Sequence, residues 1–303
     1  MDPIDKKIEK KSDDIEKILN EWGFGPCSLG AGNIKKSDIK RWFHNFEPGE
    51  FEDAFLILSN IQYHGNHKLR IYIEGLSKEL RKIFKDDLPS VKFFPLGQSA
   101  SSSGAIFLYD FRKELALPET AFPYCSVKDV DLSGVKAIVF FDDIIGSGNQ
   151  ALKFAEEHLE EIEIDKYYVA LLAFEKGFNE VKEKACFEKV IVFSKLSEEY
   201  RAFSPESQVF PEHETRQRLQ RMCKKYGEDL FPKHPLGYDD SQALIVFPHN
   251  TPNNTLPIIW ASDKSGRDVV MLLPGKELSL LSGLMEPLWA LKSKDTPRSV
   301  ILL

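Results

Sequence analysis

Between residues 91 and 196 the chain alternates short, unbroken apolar runs with amphipathic stretches. This alternation restricts the fold more than any other feature. VKFFPLG, VKAIVFFDD, KYYVALLAFEKG and KVIVFSK read as strands, with a further strand expected around Phe122 to Val127. AIFLYDFRKEL, ALKFAEEHLEEI and FNEVKEKACF read as helices between them. Strands that are apolar along their whole length are buried on both faces, and right-handed crossovers between parallel strands place helices there. The expectation is an α/β core over residues 88–196, built as a doubly wound parallel sheet.

The flanks read differently. Residues 1–87 are expected to form a helical N-terminal region: Ile4, Ile8, Ile15, Ile18 and Leu19 recur near a period of 3.6. SDIKRWFHNF, EPGEFEDAFLILSNIQY and RIYIEGLSKELRKIF continue the pattern, and Asp86-Asp87-Leu88-Pro89-Ser90 reads as a linker. Residues 197–303 read as an irregular α+β extension, a hood completing the core. In it PEHETRQRLQRMCKKYG is a helix with Pro211 at its start and Gly227 beyond its end. SQALIVF and VVMLLPG are expected strands, separated by FPHNTPNNTLPIIW.

Bulk properties exclude several classes. A net charge of -7 argues against a chain held to nucleic acid by a general positive field. The N-terminus, MDPIDKKIEKKSDDIEK, has charges where a signal peptide needs an apolar run. No stretch reaches the ~20 apolar residues of a membrane-spanning helix. Cys27, Cys125, Cys186 and Cys223 are scattered, with no Cys-x-x-Cys pair, which fits a reducing cytoplasm and gives no zinc signature. A cytoplasmic protein with no membrane partner is expected.

The stretch VFFDDIIGSGNQ carries the chemistry. Two adjacent carboxylates, Asp142 and Asp143, end an apolar strand, where open α/β sheets bind ligands. Glycines at 146 and 148 allow a close approach of backbone to an anion, Ser147 adds a hydroxyl, and a helix beginning near Asn149 adds the positive end of its dipole. Ionised carboxylates only accept hydrogen bonds, so they call for hydroxyls or a metal nearby. A ribose 5-phosphate presents vicinal hydroxyls and a phosphate at that separation.

The run of apolar residues, two acids, two apolar residues and a small-residue loop resembles the phosphoribosyl pyrophosphate (PRPP) signature of type I phosphoribosyltransferases. The resemblance implies that Asp142 and Asp143 hold the ribose hydroxyls and act in catalysis. It implies that Gly146, Ser147, Gly148, Asn149 and Gln150 cradle the 5′-phosphate, and that Gly97, Gln98, Ser99 and Ala100 form a pyrophosphate loop. The ligand would be PRPP or a nucleotide, with Mg²⁺ held mostly by the substrate and no dedicated metal ligands. Gln150 stands where such enzymes often carry a final threonine, and only KDVDLSGVKA is available where many carry a long lid. A shortened lid favours water as acceptor, or binding without turnover. Asn250, Asn253, Asn254 and Trp260 are candidates for the base, since amides read base edges and an indole stacks; a Pro-Asn turn held by side-chain-to-backbone hydrogen bonds is the alternative reading of the asparagines, and the slightly better one. This segment, with the helical N-terminal part, also resembles diverged phosphoribosyltransferase-like proteins of bacterial antiphage and retron-type operons.

Two readings stand. In one the protein is an enzyme that makes or breaks the bond at the ribose anomeric carbon, by transfer or hydrolysis. In the other it is a PRPP or nucleotide sensor that regulates a protein or nucleic-acid partner through its helical N-terminal region. His64 and His67 have metal-compatible spacing without a third ligand, and read better as a surface turn. Arg216, Arg218, Arg221, Lys224 and Lys225 read better as a solvated helix face than as a nucleic-acid patch.

Overall fold

The computed structural model describes residues 2–23, 34–97, 103–123 and 125–262. In chain order the helices are α1 (Pro3–Lys10), α2 (Ser12–Glu21), α3 (Lys36–Phe43), α4 (Phe51–Ser59), α5 (Asn66–Phe84), α6 (Ser103–Leu115), α7 (Asn149–His158), α8 (Glu175–Lys184), α9 (His213–Leu230) and α10 (Pro257–Trp260). The strands are β1 (Gln62–Tyr63), β2 (Val91–Pro95), β3 (Ala137–Ile145), β4 (Asp165–Phe174), β5 (Lys189–Leu196) and β6 (Ile245–Val246). The expected strand VVMLLPG lies outside the described residues.

Strands β2-β3-β4-β5 form one parallel sheet in that order, with Phe93 opposite Val139 and Val139 opposite Tyr167. Every residue of β3 is buried, as its unbroken apolar run requires of a central strand. Val139 and Phe141 enter the core beneath α5 and α6, whereas Ile138 and Phe140 enter the core beneath α7 and α8. Both faces are thus covered, and the doubly wound α/β arrangement is present.

Among the described residues, the expected strand at Phe122–Val127 is not formed. Glu119–Ala121 and Val127–Asp129 are 3-10 turns. Pro118 and Pro123 lack the N–H that a sheet ladder needs. The segment covers the outer edge of β2 instead: Phe122 stacks on Phe93 at 4.8 Å, and Lys92 Nζ donates to the Thr120 carbonyl at 2.7 Å. Phe122 packs on one face of the sheet and Val127 on the other, so the chain changes face around that edge.

The cores divide the chain differently from the expected boundaries at 87/88 and 196/197. Helix α5 belongs to the sheet, because Leu69, Ile73, Leu76, Leu80 and Phe84 recur at helical spacing and face its core. The N-terminal helices share a single core with the C-terminal extension, in which Ile39, Trp42 and Phe43 meet Leu219, Met222, Ile258 and Trp260. Helix α9 runs through Gly227 to Leu230, because Leu230 and Phe231 still pack on that core.

The two cores meet at a small seam. Gln62–Tyr63, read from sequence as the end of a helix, is a strand pairing in parallel with β6, Gln62 opposite Ile245 and Tyr63 opposite Val246. Side chains alternate along β6 and its flanks. Leu244 and Val246 therefore enter the helical core, and Ala243, Ile245 and Phe247 the sheet core.

Trp42 is fully buried, and its indole donates to the Ile258 carbonyl at 2.7 Å, joining the two ends of the chain. Trp42→Ala is expected to cost about 3–5 kcal/mol, from cavity formation and the orphaned carbonyl. Urea unfolding of the whole chain measures it.

Candidate functional site

The two motif carboxylates lie at the carboxyl end of β3, and consecutive side chains on a strand point to opposite faces. Asp142 turns toward the α7/α8 face, where its Oδ2 accepts from the Tyr168 hydroxyl at 3.2 Å. Asp143 turns toward the α5/α6 face, where its Oδ2 accepts from Asn250 Nδ2 at 3.1 Å. Divergence and separate donors explain how adjacent like charges persist at a buried strand end. The backbone helps: the Asp143 N–H donates to Asp142 Oδ1 and the Ile144 N–H to Asp143 Oδ1, both at 2.9 Å.

Tyr168 is buried, and its hydroxyl is held well above its ordinary pKa, first by burial and then by the Asp142 charge. At neutral pH it therefore stays protonated, a donor to Asp142. On the other side His249 places Nε2 3.8 Å from Asp143 Oδ2, with its ring edge-on to Phe107 at 4.5 Å and stacked on Phe247 at 5.6 Å.

The loop Gly146–Gly148 follows at once and leads into α7. Gly148 is the N-cap residue and takes φ of 85°, a left-handed conformation costly for any other residue. Having no side chain, it leaves the first turn of α7 without a side-chain N-cap, apart from a long 3.4 Å bond from the Asn149 N–H to Ser147 Oγ. Asn149 and Gln150 are exposed at this helix start. The loop is pressed from α8, where a Cβ on Gly177 would collide with the Gly146 carbonyl. From the C-terminal extension, the Asn254 carboxamide occupies the space beside Gly146 and donates to Ser241 Oγ at 3.3 Å.

Of the other candidates, Asn250 and Asn254 are brought to the motif, one at Asp143 and one at the loop. Asn253 is half-buried, and its carbonyl accepts from the Tyr238 N–H at 2.8 Å. Trp260 is elsewhere: its indole is buried in the helical core, donates to the Thr255 carbonyl at 2.8 Å and meets Phe231 edge-on. It offers no free face on which a base could stack, because three apolar residues of α10 dock beside it in that core. Gly97 closes β2 with φ of 109°, and the Leu96 N–H donates to the Phe141 carbonyl, so the start of this loop adjoins the motif strand. Gln98, Ser99 and Ala100 lie outside the described residues.

His64 is buried and His67 exposed, so they do not meet on one surface. Among the described residues no group of three or more His, Cys, Asp or Glu side chains could hold a metal. Arg216 donates to the Phe210 and Pro211 carbonyls, Arg218 pairs with Asp53, and Lys225 with Glu47 and Glu50. These cations tie α9 to its neighbours. Among the described residues no helix is long and apolar enough to cross a membrane.

Sequence reasoning missed Tyr168 and His249. Tyr168 was a polar-tipped ring inside an apolar run, a type that needs a partner when buried. His249 directly precedes the Asn250 already singled out.

Several solved structures are similar to part of this chain. The Helicobacter pylori Xanthine-Guanine-Hypoxanthine Phosphoribosyltransferase is 14% identical, covering 43% of this chain and 86% of its own, at a TM-score of 0.30. Purine phosphoribosyltransferase from Pyrococcus horikoshii is 14% identical, covering 45% and 90%, at 0.29. The AQ2163 protein of Aquifex aeolicus is 12% identical, covering 48% and 84%, at 0.30. Such low scores are no guide to activity, and no curated protein matches the chain. The family model described as PRTase-CE, however, matches residues 39–268, a span that takes in the seam, the sheet, the motif loop and the segment covering Asp143. The chain belongs to the PRTase-CE family and is a phosphoribosyltransferase-like protein.

Proposed function

We propose that the protein binds PRPP or a nucleotide at the end of β3 and makes or breaks the bond at the ribose anomeric carbon. The observation that carries this reading is the succession, within nine residues of chain, of a buried carboxylate pair, a left-handed Gly148 and the start of α7, to which Gly148 supplies no side-chain cap. The first-turn N–H groups of α7 and the backbone of Gly146–Gly148 take the 5′-phosphate, aided by about half a unit of positive charge at the helix start. Asp142 and Asp143 take the ribose hydroxyls. In the reaction the bond from C1′ to its leaving group breaks with its electron pair, and a base nitrogen or water forms the new bond. Positive charge that develops on the ring is favoured by the fixed carboxylates. A divalent ion, Mg²⁺, would neutralise the leaving pyrophosphate and be held mostly by it.

Two observations bear on the acceptor. Val130, Leu132 and Val135, in the segment where a lid would lie, pack on the α7/α8 face of the sheet. A segment tied down there favours water as acceptor. Asn250 already donates to the Asp143 oxygen a hydroxyl would use, and this favours the second reading, a sensor in which ligand and Asn250 exchange at one carboxylate. For the enzyme reading, the resemblance to proteins of antiphage and retron-type operons supports a role as an antiphage effector.

Incubation with PRPP, Mg²⁺ and nucleobases or nucleotides, followed by mass spectrometry, is expected to yield a product. Its rate should fall about 10²–10³-fold in Asp142→Asn/Asp143→Asn. Thermal stabilisation by PRPP without product, absent from that variant, would establish the sensor; neither result would overturn both readings. Gly177→Ala, which forces the Gly146 carbonyl to move, is expected to weaken PRPP binding roughly tenfold or more while leaving the aspartates in place, as calorimetry would show.

A further inference from the structure

Two side chains of the C-terminal extension converge on one oxygen of Asp143, and only one of them bonds it. Asn250 Nδ2 donates to Oδ2 at 3.1 Å, whereas His249 Nε2 faces the same oxygen from 3.8 Å. The second distance is too long for a hydrogen bond. His249 Nε2 is buried and makes no other, so a polar atom stands unsatisfied beside a buried carboxylate. Most buried polar side-chain atoms are partnered, and an exception calls for a reason.

The surroundings of His249 hold its ring in place. Phe107 of α6 meets it edge-on at 4.5 Å, and Phe247 stacks on it at 5.6 Å with planes 24° apart. Both phenyl rings are buried, so the imidazole has apolar walls on two sides. His249 and Asn250 ride on one turn, closed where the Phe247 N–H donates to the Asn250 carbonyl at 3.0 Å. With its proton on Nε2, the imidazole is a donor in its neutral and cationic forms alike. A shift of under ~1 Å brings Nε2 within bonding distance of Oδ2. Hydrogen bonds to an ionised acceptor are roughly twice as strong as neutral ones, and apolar walls strengthen them further.

We propose that His249 is a positioning residue for the phosphoribosyl site, becoming the donor to Asp143 when a ribose hydroxyl takes the place of Asn250. The proposal rests on the reading of Asp143 as a holder of ribose hydroxyls. The hydroxyl and His249 then share Oδ2, and the released Asn250 carboxamide bonds the ligand. The buried charge is never short of donors during the exchange, a shortage that would otherwise oppose binding. His249 thereby contributes to affinity through Asp143, without touching the ligand, and its own unsatisfied nitrogen gains a partner.

Melting temperature and calorimetric affinity for PRPP with Mg²⁺, measured on the full-length chain, test this in two variants. His249→Phe keeps a ring between Phe107 and Phe247 and removes the donor. It is expected to melt no lower than the wild type, since an unsatisfied nitrogen goes with it, yet to bind PRPP roughly tenfold more weakly. His249→Gln, whose carboxamide restores a donor, should recover most of that affinity. Lowered melting of His249→Phe with unchanged affinity would mark a merely structural ring and overturn the proposal. Equal weakening in both variants would overturn it too, by assigning the effect to ring shape. If PRPP binds the wild type and His249→Phe alike but not Asp142→Asn/Asp143→Asn, the motif reading stands and this inference falls. A wild type that binds no PRPP overturns both.

Discussion

The carboxylate of Asp143 sits wholly inside the protein, and an ionised group there costs several kcal/mol unless donors surround it. One donor is local, the Ile144 N–H; another arrives from more than a hundred residues away, on Asn250. To bring Asn250 there, the chain after Val246 must cross the carboxyl end of the sheet. It is placed to do so because β6 pairs with β1, whose own position is fixed by the helical core. The motif charge and the path of the C-terminal extension are therefore one problem with one solution.

This arrangement makes the sheet and the helical layer interdependent. The first sixty residues contribute Ile39, Trp42 and Phe51 to a core that the C-terminal extension completes with Leu219, Met222 and Ile258. Loosening either end of the chain loosens the other, and with it the segment that presents His249 and Asn250 to Asp143. The ring series Tyr72, His64, Phe247 and His249 runs along this joint, each in contact with the next, and ends beside the motif carboxylate. The geometry at the end of β3 thus depends on residues remote from it in sequence.

Much of the α/β core was legible in the sequence. Strands buried on both faces announce themselves as apolar runs, and β2 to β5 fall where those runs lie. The glycines of the motif loop likewise take the geometry that their placement suggests, Gly148 in a left-handed turn and Gly146 in close contact with its neighbours. What was not legible comes from long-range pairing. A two-residue strand such as Gln62–Tyr63 has no periodicity of its own and exists only because β6 passes beside it. Phe122–Val127 had strand-like composition, but Pro123 mattered more than its apolarity. Trp260 looked available for a base because Asn250, Asn253 and Asn254 lie shortly before it in sequence; in space it fills the helical core. Helix α5 had the amphipathic stripe of its predecessors, and nothing local distinguishes a stripe that faces helices from one that faces a sheet.

The central claim is that a phosphoribosyl group sits between the motif carboxylates and the start of α7. Titrating ribose 5-phosphate into isotope-labelled protein, and following backbone amide resonances, tests it without requiring turnover. The account predicts the largest shifts at the N–H groups of Gly146, Ser147, Gly148, Asn149 and Gln150, reduced in Asp142→Asn/Asp143→Asn. Unmoved amides across that loop, with shifts gathered elsewhere on the protein, would contradict it.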